Sequence, residues 1–146
     1  MNNKKEYLIV YMCGDSLGEI KLMEKNLSLS RRGLTKIITR LVKKGLIKKY
    51  EKEGWYDATE KGKKYLRENF NKIIEDSVKI IMNFSLNEID EFWFSLGWVD
   101  SERGKNKSLS NWRIRKIRQD KKFARISIKN LLLESDINDF LDKLEK

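Results

Sequence analysis

The stretch from Ser28 to Gly62, SLSRRGLTKIITRLVKKGLIKKYEKEGWYDATEKG, limits the possible folds of this chain more than any other. Over Ser30 to Lys44 its apolar residues Leu34, Ile37, Ile38 and Leu41 recur at the spacing of an amphipathic helix with one buried stripe. The opposite face carries Arg32, Lys36, Thr39, Arg40 and Lys43. Gly45 stands where such a helix needs a left-handed stop, and Leu46-Ile47 opens a segment that turns at Glu53-Gly54 and returns through Trp55-Tyr56. The pattern predicts a helix followed by a short hairpin. Thr59 then opens a second helical pattern that carries Tyr65, Leu66, Phe70, Ile73, Ile74, Val78, Ile81 and Met82 to about Asn83. At about 1.5 Å per residue, such a helix reaches roughly 36 Å and must find cover for its apolar stripe.

Charge is distributed unevenly along this framework. Residues 28–49 hold eight Lys or Arg and no Asp or Glu, in a chain of 146 residues with a net charge of +10. An unmixed positive face suits a polyanion, because each cation placed on a phosphate releases condensed counterions. Against this stands the plainer reading that a basic helix face is simply solvated. Farther along, residues 85–102 are net −5, residues 103–129 net +10 and residues 130–146 net −3.

The order "L-S-x-x-x-L-T-K-I-I-x-R-L-V-K-K-G-L-I", hairpin, "A-T-E-K-G-K-K-Y-L" resembles the winged helix-turn-helix of MarR- and PadR-type transcription regulators. The resemblance covers about residues 5–70. It implies a winged helix-turn-helix domain over 1–70, mainly α with a small β-hairpin wing; beyond it the residue pattern itself reads as a continued linking helix over 71–84 and a C-terminal domain over 85–146 that is helical or α+β. It also implies a sequence-specific double-stranded DNA-binding regulator, with helix 30–44 in the major groove and wing 47–58 on the backbone. The positions expected to face DNA are Ser30, Arg31, Arg32, Thr35, Lys36, Thr39, Arg40, Lys43, Lys49 and Lys52. With Glu51 and Glu53 at its tip, the wing suits a backbone clamp, and Trp55 is expected to pack on the core. Arg113, Arg115, Lys116 and Arg118 form a possible secondary DNA contact. The alternative is a winged-helix module for protein interaction or general nucleic-acid packaging, since fold does not fix function.

The remaining composition narrows the chemistry. One cysteine, Cys13, excludes an internal disulfide, and the absence of histidine removes the usual zinc sets and the Cys-His and Ser-His-Asp groups. No enzyme, metal or cofactor is expected, and no small-molecule effector is legible. Cys13 is read as a packed residue, and the adjacent pairs Glu75-Asp76 and Asp90-Glu91 as solvated charges. No apolar run reaches bilayer length and the N-terminus has no small-residue cleavage site, so a cytoplasmic protein with no membrane partner is expected.

Elsewhere the expectations are local. A helix runs from Lys4 to Met12 with Leu8, Tyr11 and Met12 inward, and Ser16 with Glu19 forms a capping box that opens a helix to Asn26. Ser85 and Glu88 form a second box, before a helix that buries Ile89, Phe92, Trp93 and Leu96 and ends at Gly97. Residues 98–110 read as a loop, and Asn111 to Lys129 fits either a hairpin turning at Asp120-Lys121-Lys122 or, slightly better, a helix. Ser135-Asp136 caps a last helix. The long helix from Thr59 is expected to build a symmetric homodimer through Leu66, Ile73, Ile74, Ile81 and Met82, unless the C-terminal residues cover it. Such a dimer places half-sites about 34 Å apart on an inverted repeat.

Overall fold

A computed structural model describes residues 4–98 and 109–145. Helix makes up 72% of it, with one two-stranded antiparallel sheet. The chain divides into two compact units, Met1–Asn71 and Lys72–Lys146. No helix among the described residues is long and apolar enough to cross a membrane.

The first unit contains α1 (Lys4–Gly14), α2 (Ile20–Leu27), α3 (Arg31–Lys43), β1 (Ile47–Lys49), β2 (Tyr56–Ala58) and the start of α4 (Glu60–Ile81). Helix α1 is apolar almost all round: Tyr7, Leu8, Ile9, Val10, Met12 and Cys13 are buried, while Tyr11, expected inward, is exposed. A helix of this kind belongs at the centre of a core, and Ile9, Val10, Met12 and Cys13 share one cluster with Met23, Leu34, Ile38, Leu41, Ile47 and Ala58. Gly45 takes the expected left-handed backbone at φ 78°, and Gly54 in the hairpin turn does so at φ 83°. The hairpin pairs Ile47 with Ala58, Lys48 with Asp57 and Lys49 with Tyr56. Thr59 ties the hairpin to α4, since its hydroxyl accepts from Gly62 N at 3.0 Å and donates to the Gly45 carbonyl at 2.5 Å.

The start of α2 differs from expectation. Ser16 has a left-handed backbone at φ 61°, α2 begins at Ile20, and its N-cap Glu19 makes no side-chain capping bond. Residues 18–20 instead join the hairpin: Glu19 bridges Trp55, Tyr56 N donates to the Gly18 carbonyl at 2.9 Å, and Ile20 N donates to the Gly54 carbonyl at 2.9 Å. A Cβ on Gly18 would lie 2.0 Å from the Tyr56 carbonyl oxygen, so only glycine allows this approach.

The second unit holds the rest of α4 with α5 (Leu86–Ser95), α6 (Asn111–Gln119), α7 (Lys121–Glu134) and α8 (Ile137–Leu144). The capping box at α5 forms as expected, Ser85 Oγ accepting from Glu88 N at 3.1 Å and Glu88 accepting from Ser85 N at 3.0 Å. Ile89, Phe92 and Trp93 are buried and Leu96 is half-buried. Phe92 meets Phe140 of α8 edge to face at 5.4 Å between ring centres, a favoured aromatic geometry. Residues 111–134 are two helices, broken where Asp120 caps α7 by accepting from Lys122 N at 3.0 Å and Phe123 N at 3.2 Å. Asp136 caps α8 by accepting from Asp139 N at 3.0 Å. Of the loop expected over 98–110, residues 99–108 lie outside the described residues.

Three further expectations change. Ile73, Ile74, Val78 and Ile81 are buried within one copy of the chain and Leu66 and Met82 are half-buried, so the apolar argument for a dimer through α4 loses its surface. Asp90 is not a solvated charge: it is buried and accepts from Leu109 N at 3.1 Å. Glu75 is engaged as well, accepting from Arg125 Nη2 at 3.1 Å, which holds its carboxyl below the usual range.

Ile81→Glu puts an unpaired charge into a fully buried position. It is expected to cost at least about 3 kcal/mol, and a variant that stays folded as a monomer with an unchanged urea midpoint would contradict this core assignment. A second expectation concerns alkali. Burial, with Asp57 adding its charge, pushes the Cys13 thiol from 9.0 up to about 12. Burial also pushes the Tyr7 phenol from 10.0 up to about 12. Both groups hold their proton more tightly when folded, so this stability is complete below about pH 9 and drains away as pH rises through 12. Urea midpoints should therefore fall steadily from pH 9 upward, and a flat profile to pH 11 would show that neither group is sequestered.

Candidate nucleic-acid interface

The geometry of the candidate site begins at the turn before α3. Ser28 takes a left-handed backbone at φ 52°, and Ser30 caps α3 by accepting from Gly33 N at 3.1 Å. This capping bond uses an oxygen lone pair, which leaves the Ser30 O–H able to donate to a phosphate oxygen. Burial of Leu34, Ile38 and Leu41 turns Arg32, Thr35, Lys36, Thr39, Arg40 and Lys43 outward, and all six are exposed. The two threonine hydroxyls fold back on the helix, Thr35 donating to the Arg31 carbonyl at 2.7 Å and Thr39 to the Thr35 carbonyl at 2.8 Å. Their second lone pair is still available as an acceptor.

The basic residues of this face separate into two groups. Arg31 forms an ion pair with Glu24 of α2, which occupies a side chain expected to reach outward. At the other end, Arg40 Nε lies 3.5 Å and Lys44 Nζ 3.4 Å from Glu6 Oε1. Glu6 is only 7% exposed although it sits among the apolar residues of α1. Its charge, after burial, helps raise the Tyr65 phenol. Arg32, Lys36 and Lys43 have no acidic partner within ion-pair distance among the described residues.

The hairpin supplies the second side of the site. Lys49 is exposed near the end of β1, and Lys52 holds its ammonium 5.4 Å from the centre of the half-buried Trp55 ring. A cleft of about 500 Å³ opens between the starts of α2 and α3 and the hairpin, bordered by Arg31, Lys49, Tyr50, Lys52, Trp55 and Tyr56. Thus Ser30, Arg31, Arg32, Thr35, Lys36, Thr39, Arg40, Lys43, Lys49 and Lys52 all belong to the first unit. Arg113, Arg115, Lys116 and Arg118 lie on α6 in the second.

The sequence reading missed Glu6 and Glu24. Nothing in local spacing signals either pairing, although a lone carboxylate inside the apolar run KKEYLIVYM was a visible anomaly. Chemically the arrangement offers cations, hydroxyls and aromatic faces. No cluster of three metal-ligating side chains occurs among the described residues. No protein-family model, curated protein or solved structure matches this chain.

Glu6 restrains two cations at the end of α3, so Glu6→Gln should release them toward a polyanion. The variant is expected to elute from heparin at higher salt than Glu91→Gln, which makes the same charge change in the second unit. Equal elution of the two would show that Glu6 exerts no local restraint.

Proposed function

We propose that this chain is a sequence-specific double-stranded DNA-binding transcription regulator of winged helix-turn-helix type. Helix α3 enters the major groove and the β1–β2 hairpin is the wing. What carries the reading is the α3 face, where Arg32, Lys36 and Lys43 are exposed and have no acidic partner among the described residues, beside a hairpin that carries Lys49 and Lys52. Arg32 and Lys36 lie near the N-terminal end of α3, the end from which a recognition helix reads base edges, and either side chain can donate to the O6 and N7 of a guanine. Thr35 lies between them as an acceptor for an adenine or cytosine amino group. Lys43, Lys49 and Lys52 hold phosphates, which sets register without reading sequence.

One observation favours the alternative of sequence-independent nucleic-acid packaging: Arg31, a candidate base reader, is occupied by Glu24. Duplexes selected from a randomised library, compared with unselected duplex, separate the two readings. Under the proposal Arg32→Ala and Lys36→Ala each weaken binding to the selected site by about 1–3 kcal/mol more than to unselected DNA. Lys49→Ala weakens both alike and lowers the slope of log K against log salt by about one unit. Equal losses on both DNAs for the α3 variants would favour packaging, and no enrichment or binding at about 50 mM salt would sink both.

A further inference from the structure

The second unit presents an aromatic and cationic surface that the α3 site does not use. Trp112, in the first turn of α6, is 59% exposed, and Ile126 of α7 is 52% exposed. Both are large apolar groups left in water on this helix pair. The indole is not isolated: its ring centre lies 6.1 Å from that of Phe123, and the Arg113 guanidinium stands 5.4 Å from its centroid. Lys116 Nζ lies 4.7 Å from the Phe123 ring centre. Arg115 and Lys116 follow Trp112 by three and four residues and so share its exposed face.

Charge identifies the kind of partner. Between Asn111 and Lys129 there are eight Lys or Arg and a single acid, Asp120, whose carboxylate is spent on capping α7. Arg125 is held by Glu75, whereas Arg115, Lys116, Arg118 and Lys122 have no acidic partner within ion-pair distance among the described residues. A purely acidic ligand needs only the cations, and a membrane surface calls for a broad apolar face. Here two rings with cations set over them, ringed by further cations, match a strand that offers flat bases and phosphates together. Beside Phe123 and Arg113 a cleft of about 170 Å³, bordered also by Ser127 and Asn130, adds groups that can hydrogen-bond a base edge.

We infer that α6 and α7 form a binding site for unpaired nucleotides of single-stranded nucleic acid, with Trp112 as the stacking platform and Arg115, Lys116 and Arg118 on the phosphates. Base–aromatic stacking tolerates any base, because every base has a π-face, and Arg113 on the indole strengthens it. The site goes beyond the duplex reading of α3 and stands or falls separately from it.

The full chain, titrated with a fluorescein-labelled oligothymidylate of about 20 nucleotides and with the same strand annealed to oligoadenylate, tests the inference. Trp112→Ala should weaken single-strand binding about tenfold or more, and Trp112→Phe should keep most of the affinity, since stacking needs a ring rather than an indole. Trp112 is exposed, so both variants should keep the wild-type circular dichroism spectrum and urea midpoint. Arg32→Ala and Lys36→Ala should weaken duplex binding far more than single-strand binding, and Trp112→Ala the reverse, so that failure of the α3 site and failure of the α6–α7 site are distinguishable. Equal affinities for Trp112→Ala and Trp112→Phe would overturn the inference. So would displacement of the oligothymidylate by polyglutamate at equal charge concentration, which would show a surface that reads charge alone. Trp112-dependent capture by phosphatidylserine vesicles without oligothymidylate binding would overturn it in favour of a lipid surface.

Discussion

The arrangement of the first unit depends on the burial of one stripe, Leu34, Ile38 and Leu41 of α3. Successive residues of a helix are about 100° apart, so fixing this stripe inward fixes the direction of every other α3 side chain. Each buried leucine or isoleucine contributes about 1.5–3 kcal/mol relative to exposure. Turning α3 by one residue would forfeit much of that and drive Thr35 and Thr39, or in the other sense Arg40, toward the core. The exposed direction of Arg32, Lys36 and Lys43 is therefore enforced by apolar packing and needs no polar contact to maintain it. The packing in turn requires α1, whose nearly all-apolar circumference gives α3 and the hairpin something to close upon.

Electrostatics then distinguishes among the cations that packing turned outward. The N-terminus of a helix carries partial positive charge, so two arginines in the first turn of α3 oppose the helix dipole, while Arg40 and Lys43 in the last turn agree with it. Glu24 relieves the conflict at Arg31. Arg32 keeps it, exposed and without a carboxylate among the described residues. Local rules broken without a compensating contact concentrate at functional positions, and under the proposed function a DNA guanine supplies what the fold withholds. Glu6 acts differently: placed at the dipole-favoured end, it gathers Arg40 and Lys44 and leaves Lys43 of the same turn without a carboxylate among the described residues.

Periodicity and capping chemistry made much of this legible in the sequence. The α3 stripe, the left-handed Gly45, the Ser85–Glu88 box and the Asp136 cap of α8 depend on residues within a few positions of one another, and such patterns are readable. What escaped depends on distant partners. Ser16 and Glu19 have the spacing of a capping box, but Gly18 offers a backbone that β2 can approach, and pairing with Trp55 and Tyr56 outcompetes the cap. The apparent alternation over residues 112–128 comes from two short helices, each with its own stripe; Ile126, which alternation would have buried, is exposed. The long helix was read correctly as needing cover, yet no local pattern states whether cover comes from the same chain, and here Ile73, Ile74, Val78 and Ile81 are buried without a second copy. The candidate DNA-facing residues were placed outward by the same stripe logic, whereas the loss of Arg31 and Arg40 to carboxylates was not visible.

The cations of α3 and those of α6 and α7 stand in physically different surroundings. On α3 the cations stand on a polar face among threonines, where attraction to a polyanion is coulombic and is screened over about 10 Å at 0.1 M salt. On α6 and α7 two of them lie over aromatic rings, where part of any binding energy would come from stacking and apolar contact that salt does not screen. A face of the first kind gathers phosphates at low salt and releases them steeply as counterions return. One of the second kind loses less, because the ring contact survives when the ion atmosphere is dense. Salt is therefore the variable that resolves one surface from the other within the intact chain.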